Sequence, residues 1–147
     1  MPVLVLNWNG LDDTITCIDH LLASESVGYR VILVDNASQG DDYQQLTDRF
    51  GHHQGIELRR NPENLGFARG MNQILAELLA ADQEERPQYA ALLNNDAFPE
   101  PGWLAALVDM AETTGAGAVA SCMLRHDNPR ILDNAGHVFL NTGEVLP

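Results

Sequence analysis

Cysteine is scarce in this sequence: only Cys17 and Cys122 in 147 residues. Two thiols are too few for a disulfide framework. Both lie in apolar stretches, which predicts buried free thiols in a reducing compartment. Positive charge is scarce as well. Lys and Arg number 8 against 21 Asp and Glu, a net charge of -13, and so acidic a surface is unsuited to nucleic acid. No apolar run approaches the roughly 18 residues of a membrane-spanning helix. The opening MPVLVLNWNG lacks a basic n-region and turns polar at Asn7, which argues against a signal peptide. Two phosphate-cradling signatures are missing too, the G-x-G-x-x-G turn and the Walker loop. A phosphate held by this chain therefore needs a metal cation between the two.

What is present is an ordinary globular composition, 45% hydrophobic and 20% charged, with length enough for one domain and a real core. VLVLN (3–7), RVILVDN (30–36), IELRRN (56–61) and YAALLN (89–94) read as strands. The first two lack polar alternation, as strands covered on both faces do. Between them fall helical spacings. Asp12 caps a helix with Ile15, Ile18 and Leu22 on its apolar face. Asp41 or Asp42 opens a second, with Tyr43, Leu46 and Phe50. The stretch 67–82 is the strongest, with Phe67, Met71, Ile74, Leu75, Leu78 and Leu79 on its buried side. Pro101 suits the first turn of a further helix carrying Leu104, Leu107, Val108 and Ala111. AGAVASCML (116–124) is expected as a fifth strand, and VFLNTGEVL as a hairpin around 141–143. Strand and helix alternating in this way predict an α/β fold: a mainly parallel twisted sheet with helices on both faces.

Ligands of such sheets sit beyond the carboxyl ends of the strands. Three strands end in polar clusters there: Asn7-Trp8-Asn9-Gly10, Asp35-Asn36-Ala37-Ser38 and Asn94-Asn95-Asp96. Asp35 suits a ribose hydroxyl or a base N–H, though an Asx turn explains it equally well. Asn64 and Gly66 lie where a loop becomes a helix, so backbone N–H groups there can face an anion; a capped helix start is the plainer account. Gly70, unfavourable inside a helix by roughly 1 kcal/mol, allows close approach of a ligand or another backbone. Asp96 is a lone carboxylate at a strand end. A diphosphate brings its own oxygens to Mg²⁺ or Mn²⁺, so one such side chain suffices, although a turn aspartate before Pro99 also fits. His52 and His53 read as a solvated helix end, Trp103 as packing, and Trp8 stays open.

In order and spacing, VLVLNWNG, VILVDNAS, RRNPENLGFARGMN and LLNNDAFPEPGWL together resemble a family 2 glycosyltransferase, in the bacterial rhamnosyltransferase-like branch that builds cell-surface polysaccharide. The resemblance covers about residues 3 to 104. It implies a GT-A fold binding a nucleotide-diphosphate sugar, dTDP-rhamnose or a UDP-sugar. On that match Asp35 holds base or ribose, Asn7 and Asn9 line the nucleotide site, and Asn64, Gly66 and Arg69 border nucleotide and diphosphate. Asn94, Asn95 and Asp96 stand at the D-x-D motif, with Asp96 as ligand to Mg²⁺ or Mn²⁺ and asparagine in place of the first aspartate. Family members continue for another hundred residues or more through an acceptor half whose carboxylate is the general base. Residues 1–147 are thus expected to be the donor part of one domain, its base beyond residue 147. This part is expected to be inactive alone, cytoplasmic or at the inner face of the membrane, to meet a saccharide or lipid-linked acceptor, and to self-associate through uncovered apolar surface. A non-catalytic nucleotide-binding or assembly module fits the residues as well. So does a nucleotidyltransferase, though NWNGLDD lacks the glycine-rich basic loop expected there.

Overall fold

The computed structural model describes residues 1–23, 28–136, 138–139 and 145–146. Two compact units divide the chain, Met1–Trp103 and Leu104–Pro147. In the first, β1 (Pro2–Asn7), α1 (Leu11–Ala23), β2 (Arg30–Asp35), α2 (Asp42–Phe50), β3 (Ile56–Arg60), α3 (Gly66–Ala80) and β4 (Ala91–Asn94) follow one another. The sheet order is β3-β2-β1-β4 and every pairing is parallel, as the alternation predicts.

Register decides what each face buries. Leu4 lies beside Ile32 and Leu6 beside Val34, so all four point to one face. There they cluster with Met71 and Ile74 of α3. The alternate set, Val3, Val5, Val31 and Leu33, is fully covered on the opposite face, and α1 and α2 add Cys17, Ile18, Leu21, Leu46 and Phe50 to the core. Each such side chain contributes roughly 1.5–3 kcal/mol through burial. Gly70 has a packing reason. A Cβ there would come within 3.1 Å and 3.2 Å of the Leu6 methyl groups, so its absence lets α3 lie close on β1.

Three expectations change. Helix α1 buries Thr14, Cys17, Ile18 and Leu21, while Leu22 is exposed; the inner stripe is turned by one residue because Thr14 has polar partners inside. On α3, Met71 and Ile74 are buried, but Phe67 and Leu79 are exposed. Leu79 falls off the i, i+4, i+7 stripe. Phe67 is on it, in the first turn, at the carboxyl edge of the sheet. The fifth strand is the largest change. Within 116–124 only Met123 and Leu124 join a strand. Small side chains in AGAVAS offer too little apolar area to hold a strand in a sheet. Cys122, expected in the core, is exposed for the same reason.

Helix α4 (Trp103–Thr114), all but its first residue in the second unit, has Leu104 buried. β5 (Met123–Arg125) and β6 (Asn128–Asn134) form an antiparallel ribbon of exposed residues. β7 (Val138–Phe139) pairs antiparallel with β8 (Val145–Leu146), as expected of a hairpin, whose turn 141–143 lies outside the described residues. No described helix is long and apolar enough to cross a membrane.

Candidate functional site at the carboxyl edge of the sheet

Parallel strands deliver Asn7, Asp35 and Asn94 to one edge, and the first two are register partners. Asn7 is fully buried. Its Nδ2 donates to Asp35 Oδ1 and to Ser38 Oγ, each at 3.0 Å, with Asp42 Oδ2 at 3.5 Å. Its Oδ1 accepts from Thr14 Oγ1 at 2.9 Å and from the Gly10 N–H at 3.3 Å. Every polar atom of this amide is used, as burial requires. Asn7 therefore organises the edge from beneath rather than lining it.

The network runs on in both directions. Asn95 Nδ2 donates to Thr14 Oγ1 at 2.9 Å, so the ends of β4, α1, β1 and β2 are tied in one chain of hydrogen bonds. Gly10 makes room for this: a Cβ there would stand 2.7 Å from Asn95 Nδ2. Asp35, 0% exposed, also accepts from the Ser38 N–H at 3.3 Å and meets Arg60 Nε at 3.4 Å. A buried carboxylate is tolerable only with such donors around it.

Two residues outside glycine take left-handed backbone here, Asn9 (φ 53) and Ala37 (φ 60). Their loops are stitched together. The Asn9 N–H donates to Ser38 Oγ at 2.9 Å, and the Gln39 N–H to Asn9 Oδ1 at 2.8 Å. Strain of roughly 1–3 kcal/mol held by surrounding bonds is common at ligand sites.

Asn36 organises the other face. Its Oδ1 accepts from Asn61 Nδ2 at 2.9 Å and the Leu65 N–H at 3.1 Å, and its Nδ2 donates to Asn64 Oδ1 at 2.7 Å. Asn64 Oδ1 also takes the Gly66 N–H at 2.8 Å. The N–H groups of Leu65 and Gly66 are thus occupied by asparagines, and Gly66, at φ 71, shapes the turn into α3. Arg69, Asn94 and Asp96 are exposed. No hydrogen bond or ion pair ties their side chains among the described residues.

Cys17 is a buried free thiol. Burial, and secondarily the Asp96 carboxylate, push its thiol up to about 12, and the Sγ lies 3.6 Å from the Asn94 carbonyl oxygen. Among the described residues, no three His, Cys, Asp or Glu side chains gather into a ready-made metal cage. Asp96 instead offers one exposed carboxylate just past the end of β4 that could hold a cation. That suits a hard cation whose other ligands are diphosphate oxygens and water.

Sequence reasoning misses Thr14, Arg60 and Asn61 as site residues and holds Asn36 and Ser38 only as members of the polar cluster that closes the second strand. A threonine on the i, i+3, i+4, i+7 stripe of α1 and single asparagines closing strands were the signals available.

The strand order, the polar loops at the carboxyl edge and the helices on both faces define a GT-A α/β domain. Residues 3–141 match the model of Glycosyl transferase family 2, and the chain belongs to that family. In structure it is similar to mannosyltransferase PcManGT from Pyrobaculum calidifontis, solved with GDP-Man and Mn²⁺: TM-score 0.66, 21% identity, 84% of this chain and 35% of that one. It is also similar to S. aureus TarS solved with UDP-GlcNAc: TM-score 0.61, 13% identity, 85% of this chain and 38% of that one. This chain thus spans little more than a third of either. No curated protein sequence matches it.

Proposed function

We propose that this chain forms the donor-binding part of an inverting glycosyltransferase that takes a nucleotide-diphosphate sugar, dTDP-rhamnose or a UDP-sugar. The acceptor is a cell-surface polysaccharide or a lipid-linked saccharide. One observation carries the reading. A saturated hydrogen-bond chain from Asn95 through Thr14 and Asn7 to Asp35 locks three strand ends together, while Asp96, Asn94 and Arg69 at the same edge stay untied. Rigid support under free polar groups is what a preorganised ligand site requires.

In this reading the Asp35 side of the edge takes the nucleoside. Asn64, Gly66 and Arg69 border the diphosphate, with Arg69 supplying positive charge on a chain of net charge -13. Asp96 holds Mg²⁺ or Mn²⁺. When bound, that cation offsets charge developing on the leaving diphosphate. Asp96 would be the side chain that holds this cation, and Asn9 and Asn94 keep hydrogen-bonding groups at the mouth. The relatives solved with GDP-Man and with UDP-GlcNAc support a nucleotide-sugar ligand.

Calorimetric titration of UDP, dTDP and GDP, with and without Mn²⁺, tests the proposal. Binding of at least one nucleotide that tightens with the cation is expected. No binding of any of the three in Mn²⁺ would overturn it.

A further inference from the structure

We infer that the nucleobase of the donor rests on Arg60, held over the Tyr43 ring, and that Asp35 acts on the base only through Arg60. The inference rests on the proposed nucleotide-diphosphate ligand and assigns which side chain meets its base.

Asp35 is the residue first expected to touch the nucleoside, yet it is 0% exposed. Its oxygens are already engaged by Asn7, the Ser38 N–H and Arg60. Arg60 ends β3, in register with Asp35, and its side chain is 45% exposed. The guanidinium carbon stands 5.0 Å from the centre of the Tyr43 ring, within the range of a cation–π stack. Nε lies 3.4 Å from Asp35 Oδ2, and Nη2 donates to the Ser38 carbonyl oxygen at 3.4 Å.

These contacts fix a normally floppy side chain on three sides: an aromatic ring beneath, a buried carboxylate and a carbonyl along its edge. What remains open is a flat cationic surface at the carboxyl edge. A planar guanidinium stacks on an aromatic base and tolerates several bases, since each presents a π-face. Lysine has the charge without the plane.

The experiment uses the 147-residue chain and its variants Arg60→Ala, Arg60→Lys, Asp35→Asn and the double variant. Each is checked for folding by circular dichroism. Ligands are UDP, dTDP and GDP, their nucleosides, and inorganic pyrophosphate, all with Mn²⁺. Arg60→Ala is expected to weaken nucleotides and nucleosides alike by roughly tenfold, leaving pyrophosphate unchanged. Arg60→Lys should not restore the loss. Asp35→Asn alone should weaken the nucleoside, but add nothing in the Arg60→Ala background, because coupled residues are not additive. If Arg60→Ala cannot fold, Arg60→Lys gives the same reading.

Unchanged nucleoside affinity in the Arg60 variants overturns the inference. So does a further loss on adding Asp35→Asn to Arg60→Ala, which would mean that Asp35 touches the base itself. Weakened pyrophosphate binding, rescued by lysine, would place Arg60 on the phosphates and equally refute it. If the parent chain binds no nucleotide, the proposed function and this inference fall together; if the parent binds and the variants match it, only the inference falls.

Discussion

Asn7 and Asp96 show how differently two polar residues at the same sheet edge are used. Asn7 is buried and spends every donor and acceptor on the protein, whereas Asp96 is exposed and its side chain has no hydrogen bond or ion pair among the described residues. Removing Asp96 should therefore leave the fold alone and change the ligand chemistry. Asp96→Ala is expected to abolish the Mn²⁺ dependence of nucleotide-diphosphate binding, with an unfolding curve superimposable on the parent's. Metal dependence that survives in calorimetry would remove Asp96 from the ligand set. Thr14 sits on the supporting side. Its hydroxyl donates to Asn7 Oδ1 and accepts from Asn95 Nδ2, so Thr14→Val keeps the shape and removes the shorter bond of each partner, leaving only the longer contacts to the Gly10 N–H at 3.3 Å and the Gly10 carbonyl oxygen at 3.4 Å. A loss of about 2 kcal/mol is expected in urea unfolding, with Thr14→Ser close to the parent. A Thr14→Val variant as stable as the parent would show the network to be incidental.

Gly10 carries the same logic to the level of elements. A methyl group there would collide with Asn95 Nδ2 at 2.7 Å. Gly10→Ala should push the end of β4 away from the β1–α1 turn. Weaker metal-dependent binding is the expected readout, since Asp96 follows Asn95 directly, whereas the core of Leu4, Ile32, Met71 and Ile74 should hold. Equal affinity in the variant would mean that β4 is positioned by other contacts. The four parallel strands were legible because each is a short apolar run closed by polar residues, and the β1 and β2 runs have no polar interruption. Helices were legible in existence but less so in facing. Periodicity alone cannot see that Thr14 belongs inside, because its reason is a partner 81 residues away, Asn95. Asp35, Asn64 and Asp96 could be picked out as strand-end and loop polar residues. Whether each meets the ligand or another side chain depends on three-dimensional partners such as Arg60 and Asn36, which no spacing encodes. The expected fifth strand failed where composition was ambiguous: a run of alanine, glycine and one valine satisfies an apolar pattern without the area to hold a sheet.

At the scale of the molecule, the chain matches the family over residues 3–141 and spans a little over a third of the length of its solved relatives. A donor site and a transfer reaction are separable properties. Positioning the acceptor and its base can account for roughly 7–11 kcal/mol of barrier lowering, and the proposed function places that base outside these residues. The purified chain is therefore expected to transfer no sugar from a radiolabelled donor in Mn²⁺ to saccharide or lipid-linked acceptors. Acceptor-dependent transfer above background would show that a base lies within these residues.

The central claim is that nucleotide diphosphate and cation meet at the carboxyl edge of the four-stranded sheet. Backbone amide shifts of the isotope-labelled chain, followed as UDP, dTDP or GDP is added with Mg²⁺, test that claim most directly. Shifts should concentrate in 7–10, 35–38, 60–69 and 94–96 and leave the α1–α2 surface around Ile15 and Gln45 unmoved. Shifts centred on that surface or on the β5–β6 ribbon, with the strand-end loops silent, would contradict the account.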